Sequence, residues 1–100
     1  MAYPMSLPFV DAIFDMLGRR ELSAASGCDI LANAIAPTFM IGSPPGLFQW
    51  VDSYFLATLT AVEKGTRDGK VCKSAVNRIF ELMALNDFDR LNAIRRASGG

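Results

Sequence analysis

Leu47-Phe48-Gln49-Trp50-Val51-Asp52-Ser53-Tyr54-Phe55-Leu56-Ala57-Thr58-Leu59-Thr60-Ala61-Val62-Glu63-Lys64-Gly65 is the stretch that decides how this chain folds. Leu47, Phe48, Val51, Tyr54, Phe55, Thr58, Leu59 and Val62 recur at the helical interval and form one stripe. Trp50, Leu56, Ala57 and Ala61 extend that stripe around much of the circumference. A helix apolar on nearly all sides is central in its bundle or shared with another chain. Ser43-Pro44-Pro45 reads as its N-cap and first turn, and Gly65 as the stop after Lys64. Between Gly42 and Val62 the one charge is Asp52, so a membrane span has to be weighed. Pro44, Pro45, Gln49, Ser53, Thr58 and Thr60 dilute the run and no basic flank precedes it, which argues against a span.

Helical signals continue on both sides, with almost no strand alternation. Upstream, a first helix is expected behind Ser6 as N-cap, with Pro8 in its first turn, Val10, Ile13, Phe14 and Leu17 facing inward, and Gly18 as its stop. A second is expected behind Ser26, with Asp29 completing a capping box, Ile30, Leu31, Ala34 and Ile35 inward, and Pro37 ending it. Pro37 to Gly46 is a loop by its prolines and glycines, yet Phe39, Met40 and Ile41 stand consecutively in it. Loops lie on the surface, so these three fold back over the core or face a partner. Downstream, a fourth helix from about Lys70 to Leu85 turns Val71, Cys72, Ala75, Val76, Ile79, Phe80, Met83 and Ala84 inward. Asn86, with Asp89 three residues on, caps a last helix anchored by Phe88, Leu91 and Ile94. The expected fold is all-α: one domain over residues 1–100, a bundle of about five helices with short loops and an apolar, Pro/Gly-rich central loop.

Composition removes whole classes of chemistry. There is no histidine, and Cys28 and Cys72 are the only cysteines. Ser-His and Cys-His nucleophiles, ordinary zinc sites and imidazole-held haem are therefore excluded. Widely separated cysteines fit free thiols, and the N-terminus lacks the positive start and apolar run of a secretory signal, so the cytoplasm is the expected location. Hydrophobic residues make up 51% of the chain, more than a 100-residue domain hides easily, which favours a binding face or a homo-oligomer. Net charge is zero, but residues 1–60 carry two arginines against five acids while residues 61–100 carry eight basic residues against five acids.

Each candidate site has a plainer explanation. Gly65-Thr66-Arg67-Asp68-Gly69-Lys70 imitates a phosphate loop but is one residue short, has Val71 where magnesium needs a hydroxyl, and follows a helix. Asp11 and Asp15 share a helix flank, and Arg19 is placed to pair with Asp15. The helix dipole would lower the Cys28 thiol pKa, but no proton acceptor can be assigned to it; Cys72 reads as a small buried hydrophobe. A helix-turn-helix at the last two helices, with Arg90, Arg95 and Arg96 on phosphates, is opposed by Asp87 and Asp89 at the end that would meet the bases, and its turn lacks a glycine.

These exclusions leave a small non-enzymatic protein–protein interaction protein, with no cofactor and no metal. Its expected partner is a larger protein or ribonucleoprotein complex that it inhibits by docking. Phage-encoded blockers of host defence, anti-CRISPR proteins among them, share this profile of size and missing chemistry. A nucleic-acid-binding regulator using the basic C-terminal half and a small subunit of a self-assembling complex are the alternatives. The expected contact residues are Phe39, Met40, Phe48 and Trp50, with Arg67, Lys70 and Lys73 as a charged rim.

Overall fold

The computed structural model describes residues 7–39 and 43–98, and among these it is all-α. Helices α1 (Pro8–Gly18), α2 (Ala24–Ile35), α3 (Leu47–Glu63), α4 (Gly69–Ala84) and α5 (Phe88–Ala97) follow in order, with a 3₁₀ turn at Ala36–Phe39. No helix among the described residues is long and apolar enough to cross a membrane. The central apolar run begins its helix only at Leu47, because Pro44-Pro45-Gly46-Leu47 is a turn. Gly46 takes φ 79°, and the Leu47 amide donates to the Pro44 carbonyl at 3.3 Å. Proline followed by a left-handed glycine is the sequence of a type II turn. The expected Ser43 cap is therefore wrong: its hydroxyl donates to the Phe39 carbonyl at 3.0 Å instead.

The other helix starts are also set by residues other than those expected. The expected Ser6 cap of α1 lies outside the described residues; Leu7 is the N-cap, and its amide donates to buried Asn77 Oδ1 at 3.2 Å. Helix α2 begins before Ser26. Ser23 is its N-cap, accepting from the Ser26 amide at 3.1 Å, while Glu63 at the end of α3 accepts from the Ala24 amide at 3.0 Å. A tertiary carboxylate at an unsatisfied N–H is what lengthens the helix. Asp87, not Asn86, caps α5 by accepting from the Arg90 amide at 3.2 Å. Ala36, before Pro37, stays helical at φ −52° and runs into the 3₁₀ turn, where Thr38 Oγ1 donates to the Ile35 carbonyl at 2.6 Å.

Three helix ends share one device. After α1, α3 and α4 the chain enters the left-handed region at Arg20 (φ 59°), Gly65 (φ 75°) and Asn86 (φ 53°). The next amide in each case donates five residues back: Glu21 to Met16, Thr66 to Ala61, Asp87 to Leu82. This is the Schellman pattern, which glycine and asparagine enter cheaply and arginine does not. Arg20→Gly should relieve about 1–2 kcal/mol of backbone strain and lose about 0.4–1 kcal/mol through the more flexible unfolded chain. A rise in Tm of roughly 2–8 °C is expected on thermal melting; a fall would show that the Arg20 side chain holds more than its backbone costs.

Five helices close over one core containing Val10, Ile13, Leu31, Ile35, Leu47, Val51, Phe55, Leu59, Val76, Ile79, Met83 and Leu91. Helices α2 and α3 run antiparallel in close contact. A Cβ on Gly27 would stand 3.1 Å from Leu59 Cδ1 and 3.3 Å from Ile13 Cγ2, so a larger residue there would require these side chains to give by a few tenths of an ångström. That approach rotates α2: Ala24, Gly27 and Cys28 join Leu31 and Ile35 inside, and Ile30 and Ala34, expected inward, are exposed. In α4 the inward positions include Leu82 and Asn77, whereas Val71 and Ala84 face solvent.

Candidate docking surface

Phe39, at the end of the 3₁₀ turn, meets Phe48 on the first turn of α3 edge to face, with ring centroids 5.2 Å apart. Both rings are half-buried and pack against the core. Beside them opens a cleft of about 390 Å³, walled by the two rings, Ala36, Pro44, Pro45 and Gly46, with Ser43 and Gln49 supplying polar groups. That volume falls within the ~300–1,000 Å³ range of small-ligand pockets. Among the described residues, no side chain lining the cleft is charged. The guanidinium of Arg95 stands next to it, with Nη2 3.7 Å from where a Cβ on Gly46 would lie.

The structure divides the expected contact residues. Phe39 and Phe48 come together, and Met40 lies outside the described residues. Trp50 is two residues past Phe48, hence on another side of the helix. There it is half-buried, packs on the core, and tilts against Tyr54 with centroids 5.2 Å apart. Arg67 and Lys70 are exposed at the far end of α3, about 20 Å along its axis from Phe48 at 1.5 Å per residue. Lys73 pairs with Asp11 at 3.2 Å. The expected basic rim is thus not beside the aromatic pair, and the arginine next to Gly46 is Arg95. One signal for Arg95 was present in the sequence: it stands four residues beyond the buried Leu91, on the face of α5 that points inward.

Other candidates resolve as local structure. Arg19 pairs with Glu21 at 3.2 Å and not with Asp15, because the helix stops at Gly18 and Arg19 turns with the chain. The Gly65–Lys70 segment is a helix–helix turn, with Asp68 accepting from the Lys70 amide at 2.8 Å. Among the described residues no group of three or more metal-ligating side chains gathers. Of the arginines considered for phosphate contact, Arg90 pairs with Asp87 at 3.3 Å and Arg95 lies against Gly46. Asn86 in the left-handed region does the work of the missing turn glycine.

Cys28 reverses its expected tendency. Helix α2 begins at Ala24, which puts Cys28 beyond the first turn, where the dipole has faded. Its Sγ lies 3.5 Å from both the carbonyl oxygen and Oδ1 of Asp52. Burial, then the hydrogen bond and negative charge of Asp52, then the charge of Asp29, push the thiol pKa up from 9.0 to about 11. A thiol held protonated is a poor nucleophile.

No protein-family model, curated protein or solved structure matches this chain.

Proposed function

We propose that this chain is a non-enzymatic docking protein that binds a larger protein or ribonucleoprotein complex and inhibits it by occupancy. The observation that carries this reading is the cleft at the start of α3, walled by Phe39, Phe48, Pro44 and Pro45. Rings and prolines offer broad apolar contact that loses little side-chain entropy on binding. The type II turn and the Ser43–Phe39 hydrogen bond hold much of the wall in place beforehand, which lowers the cost of association.

Gln49 tests the reading because it is exposed, lines the cleft and has no core role. Affinity capture from host lysate, with mass spectrometry, should identify a partner retained by wild type and by Val71→Glu on α4. Gln49→Arg should melt normally, since exposed substitutions usually shift stability by less than about 0.5 kcal/mol. It should lose that partner at least about tenfold, because a long charged side chain at the cleft has to be desolvated or displaced when a partner seats on the rings. Equal capture by wild type and Gln49→Arg would reject the cleft as the docking surface.

A further inference from the structure

A second cavity lies at the other end of α3, about 22 Å along its axis from Phe48 at 1.5 Å per residue, and is independent of the docking cleft. It encloses about 320 Å³ between the α1–α2 connection and the last turn of α3, walled by Leu17, Arg20, Glu21, Leu22, Ser23 and Glu63. That is the lower end of the ~300–1,000 Å³ range of small-ligand sites. Its wall carries opposite charges that do not pair with one another. Among the described residues the Arg20 guanidinium has no ion-pair or hydrogen-bond partner. Glu63 uses one oxygen, Oε2, on the Ala24 amide at 3.0 Å, and Glu21 uses Oε1 on Arg19 at 3.2 Å. Each carboxylate thus keeps its other oxygen for a ligand. Arg20 also stands at φ 59°, which glycine adopts without strain and arginine does not. Strain retained at a cavity wall points to a use for the side chain.

We infer that this cavity binds a free amino acid with an apolar side chain. The ligand carboxylate sits on the Arg20 guanidinium, whose fork of N–H donors matches it. The ammonium sits against Glu63 and Glu21, and the apolar side chain lies against Leu17 and Leu22. A zwitterion satisfies both signs of charge in the wall. A plain carboxylate would meet like charges at Glu21 and Glu63, and a plain amine would meet the like charge of Arg20. The hydrogen bond from the Ala24 amide to Glu63 ties the acidic side of the cavity to the start of α2 before anything binds, which lowers the cost of association.

The probe is leucine, titrated into isotope-labelled protein and followed by NMR. It should shift the Arg20, Leu22 and Ser23 amides with a Kd on the order of 1 mM, as suits so small a ligand. Isocaproate is leucine without its ammonium, and isoamylamine is leucine without its carboxylate. Each should bind about threefold to fivefold more weakly than leucine, the size of a partly exposed ion pair. Glycine keeps both charges but lacks the side chain, and should bind at least about fivefold more weakly. Arg20→Gln should abolish the advantage of leucine over isoamylamine. Glu63→Gln, whose amide oxygen can still accept from Ala24, should reduce the advantage over isocaproate. Arg20→Gly, expected to melt higher than wild type, should lose the same advantage as Arg20→Gln, which separates binding from folding. Leucine binding no tighter than its two singly charged analogues, an advantage unchanged by Arg20→Gln, or no shift at those amides would each overturn the inference.

Discussion

Phe55→Ala is expected to destabilise the protein by about 3–5 kcal/mol, as truncation of a fully buried aromatic does. Phe55 is completely shielded from solvent and lies at the middle of α3. Its ring stacks on Phe80 of α4 with centroids 5.8 Å apart and planes 9° from parallel, and Phe80 in turn receives the edge of Phe9 of α1 at 5.2 Å. Phe55 is thus one end of a run of three rings that crosses α3, α4 and α1, so its loss leaves a cavity beneath the ring of Phe80. For a domain of this size the Tm should fall by roughly 12 °C or more. Phe55→Leu, which refills part of the space, should recover a large fraction of the loss. A drop of less than about 5 °C for Phe55→Ala would mean that the three-helix junction is not where the stability resides.

The second large effect is a loss of stability at high pH traceable to Cys28. Its pKa is raised in the folded state to about 11 from 9.0. A raised folded value means that the native chain holds the proton more tightly than the unfolded chain does. The resulting stabilisation is fully present below about pH 9 and is lost as pH climbs towards about 11. At about 1.4 kcal/mol per pKa unit, this loss is on the order of 3 kcal/mol. The measurement is a difference between two proteins, which cancels every other ionisation they share. Denaturant unfolding at pH 8 and pH 10.5 is compared between wild type and Cys28→Ser, whose hydroxyl does not ionise there. Wild type should lose more stability over that interval. Parallel losses in the two proteins would show that Cys28 ionises in the native state as it does in an unfolded chain. Burial is the largest cause, followed by the hydrogen bond and charge of Asp52 on α3, so the effect also reports on the α2–α3 contact.

Sequence and structure agree most closely where the apolar period was strongest. Val10, Ile13, Phe14 and Leu17 are all buried as read, and so are Leu47, Val51, Phe55, Thr58 and Leu59 on the central stripe. They disagree at helix starts and at the flanks of faces. Ser26-x-x-Asp29 has the spacing of a capping box, but the acceptors at the start of α2 are Ser23 Oγ and, from far along the chain, Glu63. Ile30 is apolar yet 45% exposed, because Gly27 lets α3 approach on one side and turns the other side outward. Hydrophobic residues at the edge of a stripe can go either way, and the neighbouring helix decides.

By itself, then, the sequence determined the all-α class, the existence and approximate spans of its five helices, and most of their inward faces. These follow from local periodicity and from prolines, glycines and capping side chains acting within a few residues. It named Phe39, Met40, Phe48 and Trp50 together as contact candidates, and the structure brings Phe39 and Phe48 of these together. The division of the contact residues was decided only by tertiary structure. Trp50 faces away from Phe48 and keeps Tyr54, Lys73 is held by Asp11, and Arg95 reaches Gly46 from the last helix. No local rule places these side chains, because their positions depend on how helices far apart in sequence cross and how closely a glycine lets them meet.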